Sequence, residues 1–368
     1  MTRHQAFALL LLSACLLIPT ALAPALAAPP AVTEKVNCHK GESINKALAK
    51  HSDAASLVVE ISGLCKENVV VTRDRVTLRG ADPATDGIEA IANVEQTDAA
   101  VWVRSAQLVT VENLKLTGGF SGLLATEVSV PHLRVNNCRM EGNVQWGAQL
   151  ELALLVAEDT TFGPNERFSV GVFAGSRFEC HGCTLTLSPT STVRDNLFVL
   201  SGSQALMFDS ALVNGGVNSG NSGVNFTDSS IEAFPGAVAV LAGGSSNVGL
   251  ARTQVEGPMR FFASTTAGLF GVVQTHGTAT GPVPNSADDA AFVKIGNAAP
   301  ACPSPPCAPA PPVPSSVLGF NLSNFSNASL LQTSTVTGNF NCTLGANAVC
   351  PTPANVSGTA NCGLCTKP

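Results

Sequence analysis

The chain keeps repeating one short pattern, and that pattern limits what it can fold into. LVTVENLKLTGG (108–119) returns as LRVNNCRMEGN (133–143), and related segments follow along the sequence. Val111, Val135, Val156, Cys180, Phe208, Phe226 and Leu250 open successive units, spaced 24, 21, 24, 28, 18 and 24 residues apart. Two residues on stand Asn113, Asn137, Glu158, Gly182, Ser210, Asp228 and Arg252. Five residues on stand Leu116, Met140, Thr161, Leu185, Val213, Ile231 and Val255. A period of this size means stacked supersecondary units, none of which can bury its apolar face alone. Between the markers, apolar and small polar residues alternate and helical periodicity is lacking, so each unit reads as strand, turn, strand. Offsets 0 and 2 share one face of an extended chain. The odd step to offset 5 requires a bend, which Asn, Asp, Gly and Ser tolerate. Stacked at roughly 4.8 Å, such corner Asn residues can hydrogen-bond along their column. The pattern reappears as Phe325, Asn327 and Leu330.

These features resemble the right-handed parallel β-helix of the pectin-lyase-like superfamily, over roughly residues 57–345. A leucine-rich repeat is the other architecture with this period. Its motif places Asn three residues after the last strand Leu, whereas here Asn follows by two. The expected fold is therefore all-β, a solenoid of roughly ten coils with a short N-terminal capping helix. A third strand per coil is expected in SGLLATE (121–127), AQLEL (148–152), VGVFA (170–174), NLFVL (196–200), AVAVL (237–241) and LFGVV (269–273). In ESINKALAKH (42–51), Ile44, Ala47, Leu48 and His51 fall on one helical face suited to covering the first coil.

The first 27 residues read as an export signal: Arg3 and His4, an apolar run, then Ala25-Leu26-Ala27 before Ala28. LSAC (12–15) also resembles a bacterial lipobox, which would place a lipid anchor on Cys15. The solenoid and its cap are expected over 36–296. The Pro-rich segment 297–316 reads as a loop or linker, and 317–368 as C-terminal coils or a cap carrying cysteines. The returning pattern at Asn327 favours an excursion from a continuing solenoid. No stretch reads as a transmembrane span.

Export makes disulfides the default state of the cysteines. Cys38–Cys65 and Cys342–Cys350 are the expected bonds, with Cys138 left as a buried thiol. Cys342, Cys350, Cys362 and Cys365 could instead form a zinc site, a poor match to an oxidising compartment. Cys180, His181 and Cys183 could bind a metal, but Cys180 lies in the inward column, so a core cysteine or local disulfide is the plainer reading. No metal or other cofactor is expected, calcium entering only if the chain is a lyase. Six N-x-S/T sequons, at Asn225, Asn321, Asn324, Asn327, Asn341 and Asn355, would matter only in a eukaryotic secretory route.

Function is less legible. Charged residues are 12% of the chain and the net charge is −6, which argues against a nucleic-acid partner. The resemblance implies enzymes acting on acidic polysaccharides through close Asp pairs, an Arg-x-Lys or an Asp/Arg/Gln set, and none of these occurs on the repeated strands. What remains is Glu127, Glu151, Arg177, Arg194 and Asp195, expected on the outward face of one sheet. Two carboxylates near an Arg could do acid/base work on a sugar, yet the plainer reading is solvated charge. Tyr is absent, and Trp102 and Trp146 are the only tryptophans available as sugar platforms. The expectation leans to a secreted or cell-surface protein with a non-catalytic binding or structural role, its partner a polysaccharide or other surface material. The alternative is a divergent polysaccharide lyase or glycoside hydrolase.

Overall fold

The computed structural model describes residues 31–128, 133–275, 285–296, 313–324, 326–330, 334–343, 345–349, 355–356 and 362. The export segment, the lipobox cysteine, most of the Pro-rich stretch, Phe325, Cys350 and Cys365 lie outside them.

The chain winds as a parallel β-solenoid of about 12 turns with one short N-terminal helix. One ladder holds fourteen strands, running from Ala31–Asn37 and Ser56–Ser62 through to Asn327–Leu330 and Asn347–Val349. Two further ladders start at Leu64–Lys66 and Val69–Val71 and merge in Ser316–Leu322, which pairs with both. We call these the first, second and third ladders. The turns exceed the ten expected partly because Ala31–Asn37 forms a rung ahead of the helix. The first ladder also resumes at Asn327 beyond the Pro-rich stretch.

Inside the first ladder one buried row runs Val59, Leu78, Val111, Val135, Ala157, Cys180, Met207, Phe226, Leu250, Leu269, Ile295 and Leu330. Two members of the expected row are displaced. Val156 pairs with Arg134 and Glu179, and Phe208 pairs with His181 and Thr227, on the outward side. Side chains alternate with period two, so a one-residue error flips the face, and apolar identity alone cannot fix the parity. The same slip moves the next markers from Thr161 and Val213 to the buried Phe162 and Leu212.

The corner residues explain the repeated Asn. Asn113, Asn137, Asp159, Asp209, Asp228 and Arg252 have φ between 47° and 54°, and Gly182 and Gly271 share that left-handed corner. Asp159 and Asp209 replace Glu158 and Ser210 of the expected column. Asn, Asp and Gly enter this region at little steric cost. Asn137 Nδ2 donates to Asn113 Oδ1 at 2.8 Å, the expected stacking contact. Arg252, the exception, holds Asp228 through Nε and a terminal nitrogen at 2.6 and 2.7 Å.

Just past four of these corners, at Thr160, Ser210, Ser229 and Thr253, stand buried hydroxyls that the sequence pattern did not reveal. Thr160 Oγ1 donates to the Glu158 carbonyl and accepts from the Cys138 N–H. Ser210 Oγ donates to the Phe208 carbonyl and accepts from the Cys183 N–H. Ser229 Oγ continues the series with Thr227 and Ser210. Each hydroxyl satisfies groups that the bend removes from the ladders. A second polar column, of amides, fills the bend between the second and third ladders. There Asn165 Oδ1 accepts from the Asn143 N–H and Nδ2, and Asn285 exchanges hydrogen bonds with Gln274.

The helix spans Ile44–Lys50. Ser43 caps it, and Glu67 from the following coil accepts from the N–H groups of Ile44 and Asn45. A carboxylate there complements the free N–H groups and the dipole. Ile44, Ala47 and Leu48 are buried against the first coil. His51 is not part of that face: it ends the helix and contacts Glu34 Oε2 at 2.9 Å.

Cys38 is bonded to Cys65, tying the turn before the helix to the second ladder. Cys180 is bonded to Cys183. Cys342 is bonded to Cys362 rather than to Cys350, which corrects the expected pairing and removes two thiolates from the zinc set. Residues 342 and 362 come within 5.1 Å at Cα because they lie on adjacent coils, a proximity that short sequence spacing cannot show. Cys138 is a buried free thiol that burial pushes up to about 12. These bonds point to an oxidising, extracytoplasmic compartment. Among the described residues no helix is long and apolar enough to cross a membrane, and no group of three or more His, Cys, Asp or Glu could hold a metal ion. One expected third strand is also corrected: in LFGVV, Leu269 belongs to the first ladder and Val273 opens a second-ladder strand.

Candidate functional site

The five charged candidates are not brought together. Arg177 lies in the first ladder, where its guanidinium pairs with Glu179 Oε2 at 2.9 Å and Glu179 also contacts His181. Glu127 stands in a left-handed corner beyond the third-ladder strand Ser121–Thr126 and accepts from Ser105 Oγ at 2.6 Å. Arg194 is exposed, its guanidinium 4.6 Å above the Phe234 ring. Only Glu151 and Asp195 belong to third-ladder strands, and they occupy opposite ends. Glu151 ends Trp146–Glu151 and pairs with Phe173, whereas Asp195 begins Asp195–Leu200. Five residues of strand separate those levels, ~17 Å. That is far outside the ~5–9.5 Å of paired glycosidase carboxylates.

The third ladder's outward face instead gathers aromatic rings. One outward row runs Val70, Trp102, Leu124, Gln149, Gly171, Phe198, Asn218 and Leu241. Trp146 stacks on Phe168 with centroids 4.3 Å apart, and meets Phe173 edge-on at 5.5 Å. Phe198 lies within 5.6–6.4 Å of all three. The glycine in the row is required by these rings. A Cβ on Gly171 would come to 2.6 Å from the Phe173 ring and 2.8 Å from that of Trp146. Trp146 is buried beneath its neighbours, while Phe168, Phe173 and Phe198 are half-buried. Trp102 sits lower on the same face, donating from Nε1 to Thr126 Oγ1, with the Arg104 guanidinium 5.0 Å over its ring. The chain's two tryptophans thus share one surface.

Polar groups border the rings. Asn218 Nδ2 donates to Asp195 Oδ2 at 3.2 Å, next to Phe198. Glu151 Oε1 accepts from Gln149 Nε2 at 2.9 Å and from Gln96 Nε2 at 2.6 Å. Gln96, Gln149, Phe198 and Asn218 carried no signal by themselves. Their common face depends on register, although the alternation within AQLEL and NLFVL marks Gln149 and Phe198 as facing away from the core.

Burial pushes the Asp195 carboxyl above the usual carboxylate range, against the lowering effect of the Asn218 hydrogen bond. The folded state therefore holds this proton more tightly than the unfolded chain. The resulting stability is fully present below the ordinary value of about 3.9, and is lost as pH rises through the raised one. Asp195→Asn, which mimics the protonated acid, is expected to melt higher than wild type at pH 7. The gain should fade as pH is lowered below the ordinary carboxylate range, and a gain of equal size across a melting series would exclude this assignment.

No family model matches the chain, and no curated protein matches it. Among solved structures, the catalytic unit of a thermostable GH87 α-1,3-glucanase from Streptomyces thermodiastaticus strain HF3-3 is similar at 14% identity and a TM-score of 0.43. The match covers 93% of this chain and 71% of that one. The catalytic domain of a GH87 α-1,3-glucanase in complex with nigerose is similar at 11% identity and a TM-score of 0.26, covering 91% of this chain and 59% of that one. Both likenesses are distant, and neither bears on what this chain binds or cleaves.

Proposed function

We propose that this is an exported β-helix protein of the pectin-lyase-like type that binds a polysaccharide, without cleaving it, on the outward face of the third ladder. The leader at 1–27 delivers it to the cell exterior, where the disulfides persist. The aromatic cluster of Trp146, Phe168, Phe173 and Phe198, with Trp102 on the same face, carries this reading. Half-buried rings bordered by a few carboxylates and amides offer apolar area for sugar C–H faces and acceptors for hydroxyls. A polymer lying along the solenoid axis would meet a new ring or amide on successive rungs, ~4.8 Å apart. The separation of Glu151 from Asp195, and of Arg177 from both, supports binding over acid/base chemistry.

The test is a glycan array, followed by titration of its best soluble hit. Phe198→Ala is expected to weaken that binding about tenfold or more, as for loss of a central aromatic anchor. Reducing-end and double-bond assays on pectate, alginate and neutral glucans, with calcium present, should show no turnover. Turnover abolished by Glu151→Gln would overturn the non-catalytic reading.

A further inference from the structure

Residues 91–98 cross the face just described. Asn68 ties their entry, accepting from the N–H groups of Ile91 and Ala92 and donating to the Ala92 and Ala99 carbonyls. Asp98 closes the exit by accepting from Val94 and Glu95. Between these anchors Gln96 reaches Glu151 Oε1 at 2.6 Å, across 55 residues of sequence. Gln96 precedes the start of Ala99–Arg104, while Glu151 is level with the far end of that strand, since both Arg104 and Glu151 pair with Thr126. Spanning about five residues, ~17 Å, requires the segment to lie over the sheet. This agrees with the burial of two outward residues, Leu124 at 1% and Gln149 at 4% exposure. The segment itself buries little: Ile91 and Val94 are 73% and 83% exposed.

Beneath it lies an unanswered acceptor. A carboxylate can only accept, so Gln149 must present its NH2 to Glu151, which assigns its carbonyl without ambiguity. That carbonyl oxygen is buried and has no donor among the described residues. Stable folds rarely leave such a group unpaired.

Resting on the polysaccharide-binding reading above, we propose that 91–98 is a strap latched by Gln96 over a subsite for a neutral sugar. Gln149 Oε1 and Glu151 Oε1 are its acceptors. The Gln96 amide occupies the place of a ligand hydroxyl. When the strap lifts, one hydroxyl donates to Glu151 in its stead and another donates to Gln149. A uronate carboxylate brings no donor and meets the charge of Glu151, so the subsite selects neutral polymers.

Two variants, five hexasaccharides and a fluorescence quencher test this in the full chain. Cellohexaose, xylohexaose, laminarihexaose and maltohexaose serve as neutral ligands, with hexagalacturonate as the acidic one, titrated by calorimetry. Acrylamide quenching of Trp102 and Trp146 reads strap opening without any ligand. Gln96→Ala is expected to increase quenching and to tighten binding of the preferred neutral hexasaccharide about five- to tenfold, the latch no longer competing. Gln149→Leu, whose fold is checked by circular dichroism, should weaken it about tenfold. Unchanged quenching in Gln96→Ala overturns the strap. Wild-type binding that neither substitution alters overturns this inference and leaves the binding face standing. Preference for hexagalacturonate overturns the neutral-sugar assignment, and failure of wild type and Gln96→Ala to bind any of the five overturns both readings.

Discussion

Phe162→Ala is expected to destabilise the protein by about 3–5 kcal/mol. Phe162 is fully buried in the second ladder between Met140 and Leu185, and its ring meets that of Phe178 edge-on at 5.6 Å. Truncation leaves a cavity between the buried side chains of Met140 and Leu185, whose strands cannot close around it without breaking register. The contact with Phe178 couples the second ladder to the first, so the loss reaches beyond one strand. In a stacked structure, stability is close to a sum of units and their interfaces, and one weakened rung limits the whole stack. Urea unfolding followed by far-ultraviolet circular dichroism measures the effect. Phe292→Ala, at a 40% exposed position, is the control and should cost less than about 1 kcal/mol. Equal losses at the two sites would show that the core does not sit where the structure puts it.

Asn165→Leu should lower stability by about 3 kcal/mol or more, for a different reason. Its amide accepts from the N–H and Nδ2 of Asn143 at 3.1 and 3.0 Å and donates to the Met140 carbonyl at 3.1 Å. Asn165 is 1% exposed, and Leu is close to it in size, so the change keeps the volume and removes the partners. A buried group left unpaired costs about 1–3 kcal/mol; the Asn143 N–H and the Met140 carbonyl lose this partner, while Asn143 Nδ2 keeps the Leu116 carbonyl. A chain of this size should lose ~4 °C or more in melting temperature. If Asn165→Leu instead melts within a degree of wild type, the amide column contributes nothing to the bend and its burial is incidental.

These two residues also mark how far the sequence could be read. A period near 24 residues with strand-like interiors was sufficient for a parallel β-helix once the position of the Asn set aside a leucine-rich repeat. The bends at Asn113 and Asn137 were visible for a local reason, since Asn is among the few side chains that tolerate one; their left-handed backbone came only with the structure. The inward row was legible at Val111, Val135, Phe226 and Leu250 but misassigned at Val156 and Phe208. There the strand is shifted by one residue against the expected marker, and the row is back in step on the next coil, at Cys180 and Phe226.

The amide column, the Cys342–Cys362 bond and the aromatic face were beyond reach for a shared reason. Each is made of residues that meet only when one turn is laid on the next. Asn143 and Asn165 lie 22 residues apart, and Gln96 and Glu151 lie 55 apart. Their contacts follow from inter-strand register, which depends on the summed lengths of all the bends between them. The five charged residues show the same limit in reverse. Their proximity was inferred from coil order alone, and Arg177 instead opens a first-ladder strand, past the corner at Ala174 and Gly175. By itself the sequence determined the solenoid, its capping helix and its Asn-marked corners, since alternation, helical spacing and backbone tolerance are local properties of the chain. The tertiary structure decided which outward side chains share a face, because that is set by ladder hydrogen bonds between residues about 20 or more positions apart.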